Sequence, residues 1–219
     1  MENAILIVIA VLLVIFVPIL VKKHIWKKLG IVLENNDFDS YYKIIDSWPC
    51  KLTFSAFDRE NMRLSGYISQ NRKNDIEELI PMIANMRIKP KYKVVLGNRG
   101  FYYYLEQGRV KRARDMITLV KENGGEEAAH DLEMQYSILL KKESKYIDEL
   151  KEKLERYWDG KKELTVELAN AVGTMEYLIG LQYSYLNDHE NMMKYFTPAL
   201  EHCKGTPFED SINEIIKQA

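Results

Sequence analysis

The chain has 219 residues, 31 Lys and Arg against 32 Asp and Glu, and a formal net charge of −1. That balance argues against a general nucleic-acid binder, which presents a basic surface. Its two cysteines, Cys50 and Cys203, fit a reducing compartment. Few glycines and prolines among many Leu, Ile, Met, Tyr, Lys and Glu favour helix. No alternating Val, Ile and Thr run bounded by Asn-Gly or Asp-Gly turns predicts a strand.

In chain order, Met1-Glu2-Asn3 is followed by an uncharged run, 4–21, in which fifteen of eighteen residues are Ile, Leu, Val or Phe. At about 1.5 Å per helical residue it spans roughly 27 Å, close to a bilayer core of about 30 Å. Such residues favour insertion by about 0.3–0.6 kcal/mol each, enough to outweigh Pro18, and bilayer helices tolerate proline. A cleaved signal peptide would carry charge before the run and a small-x-small site after it. Here the charge comes after, in the juxtamembrane segment 22–28 with Lys22, Lys23, Lys27 and Lys28, and no such site exists. The positive-inside rule then predicts a short extracytoplasmic N-terminus, a single-pass helix in the cell membrane, and a cytoplasmic remainder.

That remainder repeats itself. Gly100–Ile117 and Ile179–Phe196 both place a Tyr before a turn residue, Gly108 or Asn187. A second helix follows in which a small or flexible residue precedes a large one by four: Ala113 and Ile117, then Met192 and Phe196. Leu64, Tyr67, Asn71, Ile76 and Ile80 keep the same spacing, as do Leu29, Val32, Asn36, Tyr41 and Ile45. The segments 127–141 and 144–158 are amphipathic with a more degenerate motif. Residues three and four apart share a helix face, so Gly180 and Tyr183 face a partner helix together. Gly124-Gly125 has the character of a helix cap and turn. Pro207 opens a last helix, about 207–218, with Phe208, Ile212, Ile215 and Ile216 on an apolar stripe.

The pattern resembles the tetratricopeptide repeat: Ile179, Gly180 and Tyr183 match its L-G-x2-Y element, and Ala113 its second-helix alanine. The first-position Trp is absent from every copy. With the all-α class expected from composition and the transmembrane helix from the apolar run, the resemblance implies an α-α superhelix over 29–205. That superhelix would hold about four to five helical hairpins, closed by a capping helix over 206–219. It also implies a concave groove for a peptide, with Asn61, Asn98, Arg99, Tyr102 and Tyr177 facing it.

Between Arg87 and Arg114 the only acid is Glu106. Arg87, Lys89, Lys91, Lys93, Arg109, Lys111, Arg112 and Arg114 form either a docking patch for anionic lipid or acidic protein, or a solvated face. No phosphate loop, dinucleotide fingerprint, zinc-protease or nucleophile-elbow motif occurs, so no catalytic residue, enzyme activity or cofactor is expected. His189-Glu190 and Glu201-His202-Cys203 lie about 20 Å apart on one expected helix, too far to share a metal. The expected function is a membrane-anchored adaptor or scaffold that binds a protein or peptide partner. The alternatives are a peripheral anionic-lipid-engaging element and, with reversed topology, an extracytoplasmic folding or secretion factor.

Overall fold

The computed structural model describes Glu2–Lys161 and Glu163–Gln218, with side chains described for 16–161 and 163–217. The described residues contain no strand. They form α1 (Glu2–Glu34), α2 (Phe38–Asp46), α3 (Trp48–Thr53), α4 (Ala56–Ser69), α5 (Lys73–Asn85) and α6 (Pro90–Glu106). After these come α7 (Val110–Leu139), α8 (Ile147–Tyr157), α9 (Val166–Tyr185), α10 (His189–His202) and α11 (Pro207–Gln218). The all-α class expected from composition is the observed one. Two units are distinguished: Met1–Gly100 with Glu122–Gly124, and Phe101–Lys121 with Gly125–Ala219.

The helices end at turns of one design. Asn36, Asn71, Gly108 and Asn187 hold left-handed φ of 55°, 53°, 63° and 55°. At each, the turn residue donates its N–H three residues back, and the next residue donates five back, to Val32, Tyr67, Tyr104 or Tyr183. This is the Schellman arrangement, which satisfies carbonyls that a helix end would otherwise leave unpaired. Asn and Gly are the residues that enter this conformation at least cost. Lys142, at φ 57°, marks a further left-handed turn. Asn71→Ala is expected to destabilise by about 1 kcal/mol, whereas Asn71→Gly should be neutral or better. Thermal melting of the full-length protein in detergent measures both, and equal losses would show that the Asn71 side chain, not φ, decides the turn.

Long α7 is interrupted at Gly125, with φ 86° and ψ 176°. That region of backbone space is essentially closed to residues with a Cβ.

In the first unit, α1 packs on α2 and α3 through Ile25, Leu29, Tyr41, Ile45, Cys50 and Phe54, with Met62 of α4. Tyr41 Oη donates to the Met62 carbonyl at 2.8 Å, which ties α2 to α4. Gly66 lets the two helices approach: a Cβ there would lie 2.8 Å from Tyr42 Oη. Ser55 and Asp58 form a reciprocal capping box at the start of α4. The six-residue α3 has no counterpart in the expected repeat. Ser47 caps it and Pro49 sits in its first turn, where a missing N–H costs nothing.

Among the described residues no helix is long and apolar enough to cross a membrane. The side chains of the expected span from 4 to 15 lie outside the described ones. Its remainder is on view: Phe16, Val17, Pro18, Ile19 and Leu20 are all exposed, and the first buried residue of α1 among those described is Ile25.

The second unit is built around α9, whose neighbours are α8, α10 and α11. Every residue of α9 from Met175 to Tyr183 is buried. Gly180 meets the fully buried Phe196 ring of α10, and Gly173 meets Cys203 and His202. The C-terminal α11 adds Ile212 to this core, with Phe208, Ile215 and Ile216 packed against it.

Candidate functional site

A polar cluster beside a cleft lies in the first unit, where Arg99 of α6 meets α4. Arg99 Nη1 donates to the Asn61 carbonyl and to Asn61 Oδ1, both at 2.9 Å. Its Nη2 donates to Ser65 Oγ at 2.7 Å. Burial pulls the Arg99 guanidinium below its usual range, opposed by the nearby Tyr41. No carboxylate pairs with Arg99 among the described residues, so its charge is offset only by dipoles.

Asn61 and Ser65 line a cleft of about 230 Å³, with Trp26, Leu29 and Leu33 on its apolar side and Asp58 at its edge. With Asn61 Oδ1 held by Arg99, the amide nitrogen takes the other fork and has no protein partner among the described residues. The cleft thus offers amide donors from Asn61, a carboxylate acceptor from Asp58 and an apolar wall. Its volume falls below the roughly 300–1,000 Å³ of small-molecule pockets. One large side chain of a bound segment fits that space better than a free metabolite does.

The other expected groove residues are placed differently. Asn98, also in the first unit, bonds the Val94 carbonyl of its own helix at 2.8 Å. Tyr102 and Tyr177 belong to the second unit. Tyr102 is 44% exposed and accepts from Gln135 Nε2 at 3.2 Å, so it presents contact surface. Tyr177 is 7% exposed, stacked on Phe196 and tilted against Phe208 with centroids 4.9 Å apart in the latter pair. It is a core residue joining α9 to α10 and α11.

The basic residues also divide between the units. Arg87, Lys89, Lys91 and Lys93 lie at and just before the start of α6, and a cleft of about 400 Å³ includes Arg87 and Lys89 with Phe57 and Tyr92. Phe57 and Tyr92 stack there at 4.6 Å. Arg109, Lys111, Arg112 and Arg114, all exposed, begin α7 in the second unit.

Sequence spacing did not anticipate the pair between Glu176 and His202. His202 Nδ1 and Glu176 Oε2 are 2.7 Å apart, bridging α9 and the end of α10, and Glu176 is 3% exposed. Burial pushes the Glu176 carboxyl up, against the opposing pull of His202. A carboxyl raised on folding binds more protons in the native than in the unfolded state above the ordinary Glu value. Stability therefore falls as pH rises through that interval. As pH rises above the ordinary Glu value of about 4.3, wild type should lose stability relative to Glu176→Gln, whose side chain stays neutral. Melting curves of full-length protein in detergent give the difference, and a pH-independent one would mean an unshifted carboxyl.

His202 thus pairs across helices, while His189 sits at the far end of α10. Among the described residues no group of three His, Cys, Asp or Glu is placed to hold a metal ion. The Cys50 and Cys203 thiols are free and buried, and burial raises both. A thiol so placed is a packing group rather than a nucleophile. No family model, no curated protein and no solved structure matches this chain.

Proposed function

We propose that the chain is a single-pass, membrane-anchored adaptor whose helical-hairpin repeats hold a protein or peptide partner at the cytoplasmic face. The observation that carries the anchor is the contrast along α1. Five consecutive residues, Phe16 to Leu20, are exposed although none is charged, and after them Val21 and Ile25 pack against the domain. A helix with an unburied apolar run that continues into the run at 4–15 of the sequence needs an apolar surrounding. Lys22, Lys23, Lys27 and Lys28 then fall on the cytoplasmic side. The Schellman turns at Asn36, Asn71 and Gly108 recur at intervals close to the tetratricopeptide length, which supports the hairpin-repeat architecture over that stretch, while Asn187 stands outside the interval. Binding rests on the cleft framed by Asn61, Ser65 and Trp26, with Arg99 behind it. No chemistry is assigned to the protein: a preformed surface captures a segment, and the anchor raises its local concentration.

The test uses the full-length protein in its own membrane, with a photo-cross-linker in place of the exposed Trp26. A defined partner chain should be captured, and Asn61→Ala should abolish the adduct while the protein stays membrane-bound. Arg99 keeps the Asn61 carbonyl in that variant, so the fold loses only about 1 kcal/mol. Capture indifferent to Asn61, or no capture, overturns the assignment of the cleft.

A further inference from the structure

A groove of the first unit, about 840 Å³, runs between α1 and α2 beside α3. Leu20, Val21, Ile44 and Pro49 supply its apolar wall, and Lys28 and Lys43 its charge. No carboxylate lines it among the described residues. Leu20 and Lys28 are eight residues apart on one helix face, about 12 Å along the axis. Helical side chains lean toward the N-terminus, so Lys28 leans back toward the apolar run. Apolar wall and cationic end therefore lie in the order in which an acyl chain and a phosphate leave a bilayer.

Beside this groove stands α3. Trp48 is 73% exposed and Leu52 64%, four residues apart on one face, with exposed Lys51 between them. The helix is held at a defined height on α1. Pro49 lines the groove together with Leu20 and Val21, and the Phe54 ring meets Trp26 at 5.6 Å and the Lys22 ammonium at 5.0 Å. That height is the end of the apolar run, where tryptophan and lysine suit the membrane interface.

We infer that α3 is a second membrane contact, lying in the headgroup layer with Trp48 and Leu52 inserted. The α1–α2 groove beside it binds an anionic phospholipid of the same leaflet, acyl chain on Leu20, Val21, Ile44 and Pro49, phosphate toward Lys28 and Lys43. The inference rests on the anchor proposed above. It accounts for two features the anchor alone does not: a short helix that exposes its largest apolar residues, and a groove that is lined by lysines and, among the described residues, by no carboxylate.

Full-length protein carrying Trp26→Phe and Trp158→Phe leaves Trp48 as the single tryptophan, and is reconstituted in phosphatidylcholine vesicles. Lipids brominated near the headgroup should quench Trp48. Brominated phosphatidylglycerol at low mole fraction should quench more than the same amount of brominated phosphatidylcholine. The local enrichment should reach about fivefold for each lysine engaged. Lys28→Gln with Lys43→Gln, both at exposed positions, should remove that preference and leave the quenching itself. Protein that resists alkaline extraction but whose Trp48 is quenched only by aqueous acrylamide would overturn the inference and leave the anchor standing. So would a Trp48 shielded from both quenchers, which would assign the face to a protein partner. Equal quenching by the two lipids would overturn the phospholipid site alone. Release by alkaline carbonate would overturn the anchor and, with it, the inference.

Discussion

Tyr177→Ala is expected to destabilise the second unit by about 3–5 kcal/mol, the cost of deleting a buried aromatic ring. The ring packs on Phe196 from α10 and on Phe208 from α11, so its loss opens a void where three helices meet. Neither neighbour can close it easily: Phe196 is fully buried, and Phe208 is carried by the terminal helix. Cooperative melting of the full-length protein in detergent should shift down by more than about 10 °C. Tyr177→Phe, which keeps the ring, should recover most of the loss. Tyr102→Ala should stay within about 0.5 kcal/mol of wild type, because that side chain is largely exposed. The comparison bears directly on function. Loss of a partner in Tyr177→Ala reports unfolding, whereas loss in a stable Tyr102→Ala reports contact. Equal stability of the two alanine variants would remove Tyr177 from the core and return it to the open face.

Gly180→Ala is the second large expected effect, with a sign opposite to helix propensity. Alanine is favoured over glycine inside an exposed helix by about 1 kcal/mol. At Gly180, however, a Cβ would occupy space filled by the Phe196 ring, which is fully buried. Overpacking of this kind typically costs about 1–3 kcal/mol after neighbours adjust. Gly30 supplies the control: it is an exposed glycine inside α1, and a methyl group added there would meet nothing within 4 Å. Gly30→Ala should raise stability by about 0.4–1 kcal/mol. If both substitutions stabilise, the approach of α9 to α10 is looser than the structure has it. A further substitution, Phe196→Leu in the Gly180→Ala background, should restore part of the loss by vacating ring volume.

The helical class and the turn positions were legible because they depend on local chemistry. Asn36, Asn71, Gly108 and Asn187 stand where an amphipathic run breaks, and each is of the type that tolerates left-handed backbone. Positions spaced four apart after those turns, such as Ile76 and Ile80 or Met192 and Phe196, are buried because one helix face repeats at that interval. The side on which Tyr177 lies was not legible. Around it α9 is buried on every side, so periodicity carries no information about which face meets which neighbour. The short α3 was missed, although Ser47 before Trp48-Pro49 carries the signal of a helix start.

Sequence by itself determined the apolar run at 4–21, its lysine boundary, the all-α class and the sites of the turns, since each follows from residue type and near-neighbour spacing. Only the tertiary structure decided that Arg99 holds Asn61 at 38 residues' distance and that Glu176 meets His202 at 26. It alone placed α3 with its exposed Trp48 level with the end of that run. Contacts of that kind depend on how helix faces pack. Many residues can fill a given face, so residue identity leaves the pairing open until the chain is folded.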